Sequence, residues 1–479
     1  MEKYKKILIT GKFNVIHPGH LRLFKYAKEI GHHLTVAIES DELGKENTFL
    51  SENYRLEGLQ SNNYIDDCFV YRSSVEQVIK DVRPNIILKG KEHESKYNIE
   101  EKIVEEIGAK IIFSSGEVVF SSLEIIKNEI NRKKKYDFLI PREYLKRHSI
   151  KKGDLIDVIE GFKKVKVCVI GDLIIDEYID CQPVGMSQED PTIVVSPVDS
   201  KKYIGGAAIV ASHAKSLGST VNFISIIGND DIGKYAKSEL KKHGLNNELL
   251  IDITRPTTHK IRYRSRSKTL LRVNNLYQEK ISVILQNQIV EKFKFIVKDL
   301  DLLIFSDFNY GCLPNELVEK LITICEENSL KYVADSQSSS QIGDISRFKN
   351  AVLITPTEYE ARISIRNFND GLAFISDELL SRTNSKYVFL KLGEEGFLIH
   401  TKEKNITVTD QVPALNQSPK DVSGAGDSLL VAASLSLIVS NSIWLSAFIG
   451  SLAAAIQVSR IGNTPIELNE ILQVCYDSF

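Results

Sequence analysis

Two runs of alternating short apolar strands and helical patterns, separated once by a basic stretch without a period, constrain this chain more than any other feature. Residues 1 to about 130 carry KKILITG, HLRLFKYAKEIG, LTVAIES, NIILKG and AKIIFSS in turn, the order that a parallel α/β sheet requires. NRKKKYDFLIPREYLKRHSI, ending at Ile150, reads as a linker. A second series opens at Val165 with VKVCVIGD and continues through IFSDF, KYVADS, AVLITP and YVFLKLG. The predicted organisation is a domain over 1–131, a linker over 132–150 and a second domain over 151–479, since 479 residues exceed one ordinary core.

A formal charge of -2 argues against a nucleic-acid binder that works through bulk basicity, so small substrates are expected. The six cysteines form no Cys-x-x-Cys pair, and buried, reduced thiols are the expected state. MEKYKKILITGKF passes straight into a strand without the apolar run of a signal peptide. A cytoplasmic location is therefore expected, with no membrane partner. Leu429 to Val458 is apolar, but Ser440, Asn441 and Ser442 divide it into pieces of about 11 and 16 residues, shorter than the ~20 of a membrane span. Two buried helices are predicted there.

In ILITGKFNVIHPGHLRLF an apolar strand ends at Gly11, and Pro18-Gly19 opens a helix with His20 in its first turn. His17, His20 and Lys12 then lie at a helix N-terminus, where unpaired N–H groups and the dipole favour phosphate. Such a site can stabilise charge on the α-phosphate of a nucleotide under attack. The segment resembles the His-x-Gly-His signature of the cytidylyltransferase-like nucleotidyltransferases, and Arg55, Asp66, Lys89-Gly90-Lys91 and Ser121-Ser122 follow in that family's order. The resemblance implies a Rossmann-like fold, with His17 and His20 catalytic and Lys12, Arg55, Lys89, Ser121 and Ser122 holding the triphosphate. Asn14 stands where relatives carry an acid.

The second domain has the sharper local signal, DVSGAGDSLLVAASLSL. Gly424, Ala425 and Gly426 let backbone N–H groups approach a phosphate, and Asp427 at the helix start can take a proton from an attacking hydroxyl. From Val165 onward the chain resembles the ribokinase-like sugar kinases, which implies an α/β domain with a small β lid. By that resemblance Asp427 is the catalytic base and Gly424, Ala425 and Gly426 form the anion hole. Gly393 and Gly396 line the nucleotide, Asp172, Asp176, Gly205 and Gly206 the sugar, and Glu360 organises Mg2+ through water.

The likeness extends to the kinase half of bifunctional enzymes that make nucleotide-activated heptose, through VGMSQEDPTIVV, PTTHKIRYRSR and SRIGNTPI, although here the domain order is reversed. It implies ATP, Mg2+ and a second nucleoside triphosphate, ATP or CTP, as well as a homodimer through the lid. Ile209, Asn274, Gln337 and Thr357 depart from the kinase pattern; Gln337 stands where a lysine is usual. In KIRYRSRSK, Lys260, Arg262, Arg264, Arg266 and Lys268 recur at every second position, so on one strand they share a face. Lys260, Arg262 and Arg266 are the expected holders of an acceptor sugar that already bears a phosphate. Two other readings stay open on sequence, a second domain that only binds or regulates and a cytidylyltransferase for an alditol phosphate.

Overall fold

The computed structural model describes residues 5–16, 18–44, 49–90, 100–114, 136, 138–265, 268–338, 342–403 and 406–478. The chain divides into two compact units, Met1–Lys135 and Tyr136–Phe479. In the first, strands β1 (Lys6–Gly11), β2 (His33–Glu39), β3 (Asp67–Tyr71), β4 (Ile86–Gly90) and β5 (Lys110–Ser114) form a parallel sheet of order β3-β2-β1-β4-β5. Ile7, Leu8 and Ile9 are all buried, because helices cover both faces of such a sheet and no alternation of polar residues is possible. The strand order reverses between β1 and β4, which opens a crevice at their carboxyl ends.

In the second unit the strands are β6 (Lys166–Gly171), β7 (Leu173–Met186), β8 (Ile193–Gly206), β9 (Thr220–Ile227), β10 (Asn246–Ile251), β11 (His259–Ser265), β12 (Lys268–Asn275), β13 (Leu302–Asp307), β14 (Lys331–Ser336), β15 (Leu353–Ile354), β16 (Tyr387–Lys391), β17 (Phe397–Glu403) and β18 (Ile406–Val412). Nine of them build the main sheet, β10-β9-β6-β13-β14-β15-β16-β17-β18, parallel until β17 and β18 turn back. The other four form a separate sheet, β12-β11-β7-β8. This is the lid.

The apolar stretch near the C-terminus folds as two helices, Ala425–Ser440 and Ile443–Val458. Asn441 takes a left-handed φ of 53° and Ser442 caps the second helix by accepting from Leu445 N, which is why the pair breaks there. Among the described residues no helix is long and apolar enough to cross a membrane.

The predicted linker is corrected in its second part. From Tyr136 the chain is part of the second unit and includes a helix, Arg142–Arg147. Tyr144 donates to Trp444 O at 2.7 Å, Leu139 N to Leu415 O at 2.8 Å, and Tyr136 to Glu470 at 2.8 Å. His148 stacks on Trp444 with ring centroids 4.2 Å apart, and both Arg147 and His148 bind Asp410. The basic composition hid this anchorage, because its apolar contacts lie at irregular spacing.

Candidate functional sites

At the carboxyl end of β1, Phe13 adopts a φ of 46°, a left-handed turn uncommon for a side chain of its size, which folds its ring against Gly11. His20, in the first turn of the helix Pro18–Ile30, lies 5.0 Å from the Phe13 ring and 6.3 Å from Phe24. Lys12 reaches Glu39 at 3.8 Å, and Lys89 at the end of β4 pairs with Glu100 at 2.7 Å. Both flank the crevice. His17, Ser121, Ser122 and Lys91 lie outside the described residues.

Arg55 has a different place from the one expected of it. Its side chain is buried and donates to Leu50 O at 2.9 Å, Lys12 O at 2.6 Å and Asp41 at 2.6 Å. Buried, with three of its five N–H groups held by protein acceptors, it braces the turn after β1. Asp66 is structural too: it accepts from Leu34 N and pairs with Lys28 at 2.8 Å.

In the second unit the helix Ala425–Ser440 starts behind Gly424, whose φ of 78° and contact with Asn463 leave no room for a Cβ. Asp427 lies in its first turn and is buried. Burial, then the nearby Asp335 carboxylate, pushes the Asp427 carboxyl up to about 7, with Lys391 pulling the other way. Gln337 donates to it at 3.1 Å. A carboxylate with this pKa can accept a proton from a hydroxyl near neutral pH, the property a general base needs.

Asp176 on β7 faces the same centre: it forms an ion pair with Arg262 of β11 and helps to raise the Asp427 pKa. A Cβ on Gly205 would strike its carboxylate, which explains the glycine there. Asp172 is a correction. Its oxygens accept from Phe308 N at 2.9 Å, Tyr310 N at 3.3 Å and Cys312 N at 3.1 Å, so this buried carboxylate fastens the loop after β13. Gly206, with a φ of 60°, begins the helix Ala207–Ser216. Ile209 is buried in that helix, packed in the core.

Glu360 and Thr357 form a reciprocal cap: Thr357 N donates to Glu360 at 2.7 Å and Glu360 N to the Thr357 hydroxyl at 3.2 Å. Ser338 N donates to the other Glu360 oxygen at 2.8 Å. Each oxygen keeps a further lone pair, which suits a contact to a metal through water. Gly393 and Gly396 shape the turn from β16 to β17, both at positive φ.

The basic run does not form one strand. β11 ends at Ser265 and Lys268, its antiparallel partner, begins β12, while Arg266 lies outside the described residues. Lys260, Arg262 and Arg264 do share a face of β11; Lys260 lies 4.9 Å from the Tyr310 ring, and Arg262 and Arg264 lie 5.3 and 5.0 Å from that of Tyr178. Sequence reasoning missed Asp335 and Lys391. Their signal was position, each at or next to the carboxyl end of a central parallel strand, where ligands of α/β sheets gather.

A lidded α/β unit with a buried carboxylate at a glycine-opened helix start defines a phosphotransferase. The chain belongs to the pfkB family of carbohydrate kinases, whose model matches residues 164–469, and a cytidylyltransferase-like model matches residues 8–143 ahead of it. The bifunctional protein HldE of Campylobacter curvus is 29% identical over 314 residues, 64% of this chain and 64% of that protein. That of Helicobacter pylori strain J99 is 29% identical over 310 residues, 64% and 65%. The match thus spans just under two thirds of these relatives' length. Among solved structures, phosphofructokinase-2 of Escherichia coli in complex with substrates and products superposes with a TM-score of 0.54 at 16% identity, covering 65% of this chain and 99% of that one. Arabidopsis thaliana ribokinase complexed with ribose and ATP gives 0.51 at 16%, covering 65% and 98%. These structures share the fold of the second unit.

Proposed function

We propose that the second unit phosphorylates a sugar hydroxyl with ATP and that the first unit transfers a nucleotidyl group from ATP or CTP to a sugar 1-phosphate, with release of pyrophosphate. The observation that carries the reading is Asp427, a buried carboxyl near 7 at the start of a helix opened by Gly424. Asp427 takes the hydroxyl proton, the freed oxygen attacks the γ-phosphorus, and ADP leaves. The N–H groups of Gly424 to Gly426 face the charge that develops on the phosphoryl oxygens. Glu360 would hold Mg2+ through water, and the ion would supply charge neutralisation at the nucleotide phosphates. In the first unit His20, Lys12 and Lys89 would contact the triphosphate, with His17 in the role its motif implies, while Arg55 braces the turn that carries Lys12.

The acceptor is a heptose-like sugar that already bears a phosphate. In support, Arg262 and Arg264 stand side by side on the lid strand that carries Lys260, and arginine forks match phosphate geometry. Arg262→Ala is expected to raise the KM for a phosphosugar by roughly 1.5–3 kcal/mol, about ten- to a hundredfold, and to leave an unphosphorylated analogue little affected. Equal effects on both would remove the phosphate from the model. Product analysis by mass, with candidate sugar 7-phosphates and all four nucleoside triphosphates, tests the whole scheme. Nucleotidyl transfer to a supplied sugar phosphate without any kinase product would leave the second unit a binding module.

The same reading pairs two copies through their lids. Val184, Met186, Ile193, Val198, Leu271 and Val273 are exposed on the lid strands, an apolar load that a paired lid would cover. Sedimentation should show a dimer; a monomer at high concentration would refute the pairing.

A further inference from the structure

The charges packed around Asp427 do not balance without one side chain that the mechanism above leaves unused. Lys391, the last residue of β16, is mostly buried, with its ammonium 3.0 and 3.2 Å from the two oxygens of Asp335. Thr355 donates to the same carboxylate at 2.9 Å. Gln337 bridges the two acids, 3.3 Å from Asp335 and 3.1 Å from Asp427. A Cβ placed on Gly426 would come within 3.2 Å of the lysine nitrogen, so the ammonium sits against the glycine turn itself. Among the described residues, the groups that act most strongly on Asp427 are Asp335 and Gln337 from the end of β14, Asp176 from the lid, and Lys391, the cation of the set; Glu360 in turn faces Lys391.

A base at this point must ionise beside two other carboxylates and an incoming polyphosphate. Like charges at such range strongly oppose ionisation, and one buried ammonium offsets that opposition for both acids at once. We propose that Lys391 is a positioning residue of the kinase reaction, holding Asp335 under the glycine turn and supplying the positive charge against which Asp427 works as a base. The proposal rests on the kinase reading of Asp427.

Lys391→Met should lower kcat by roughly tenfold or more, change the KM for the sugar less, and move the acid limb of the kcat/KM profile to higher pH. Asp335→Asn should move the same limb to lower pH. A role in folding alone would not produce shifts of opposite sign. Gln337→Lys added to Lys391→Met should bring the limb back, because that side chain already reaches both carboxylates. If Lys391→Met does not fold, as thermal unfolding would show, Lys391→Arg and Asp335→Asn carry the test: the arginine variant must keep the limb where it is. An unmoved limb in folded Lys391→Met, or a common direction for it and Asp335→Asn, would overturn the role of Lys391 while the kinase stands. Absence of kinase turnover in the unmodified protein would overturn both.

Discussion

Asp427→Asn is expected to cost the kinase about 10² or more in turnover and to stabilise the protein in alkali. The two effects have one cause. Burial, seconded by Asp335, holds the carboxyl at about 7 against an ordinary 3.8. Because the folded-state pKa is the higher one, stability is fullest below the unfolded value near 3.8 and falls as pH rises through about 7. Fully ionised, the residue costs the fold roughly 4 kcal/mol, taking about 1.4 kcal/mol for each pH interval between the two values. Asparagine keeps the shape and cannot ionise. Thermal unfolding should therefore show the variant gaining on the unmodified protein at about pH 8.5 and little at about pH 4. Kinase turnover unchanged in the variant would take Asp427 out of the chemistry, and an equal gain at both pH values would contradict a buried charge.

Replacing His17 and His20 together by alanine should abolish nucleotidyl transfer, by about 10² or more, and leave sugar phosphorylation intact. His20 lies on the helix that follows β1 and Asp427 on one beside the nine-stranded sheet, so each reaction has its own scaffold. Pyrophosphate release from the nucleoside triphosphate in the presence of a supplied sugar 1-phosphate, and ADP release in the presence of the phosphosugar acceptor, are measured separately. Normal pyrophosphate release by the double variant would end the assignment of the first unit. Simultaneous loss of both activities would contradict the independence of the sites.

The α/β alternation in both halves was legible because parallel strands covered on both faces read as unbroken apolar runs, such as ILI in β1 and VCVI in β6. The glycine turn before Asp427 was legible for a similar reason: a left-handed residue ahead of an apolar helix leaves a local mark. Asp172 and Arg55 misled because a motif states that a polar residue is needed but not which way it points. Both are buried and bind backbone groups of segments distant in sequence, Phe308 to Cys312 for the first and Lys12 for the second. The basic run misled by period, since the alternation of charges continues past Ser265, where β11 ends, into β12. Asp335 and Lys391 had no pattern of their own; only the pairing of β14 with β15 and β15 with β16 brings them together.

The docked helix Arg142–Arg147 has a spectroscopic corollary. The chain contains a single tryptophan, Trp444, and its indole is stacked on the imidazole of His148 with the planes 10° apart. Intrinsic emission excited in the indole band therefore originates at one seam, where the segment after the first unit meets the penultimate helix of the second. Quenching, spectral position and lifetime there register whether that segment is seated, and they do so without any label.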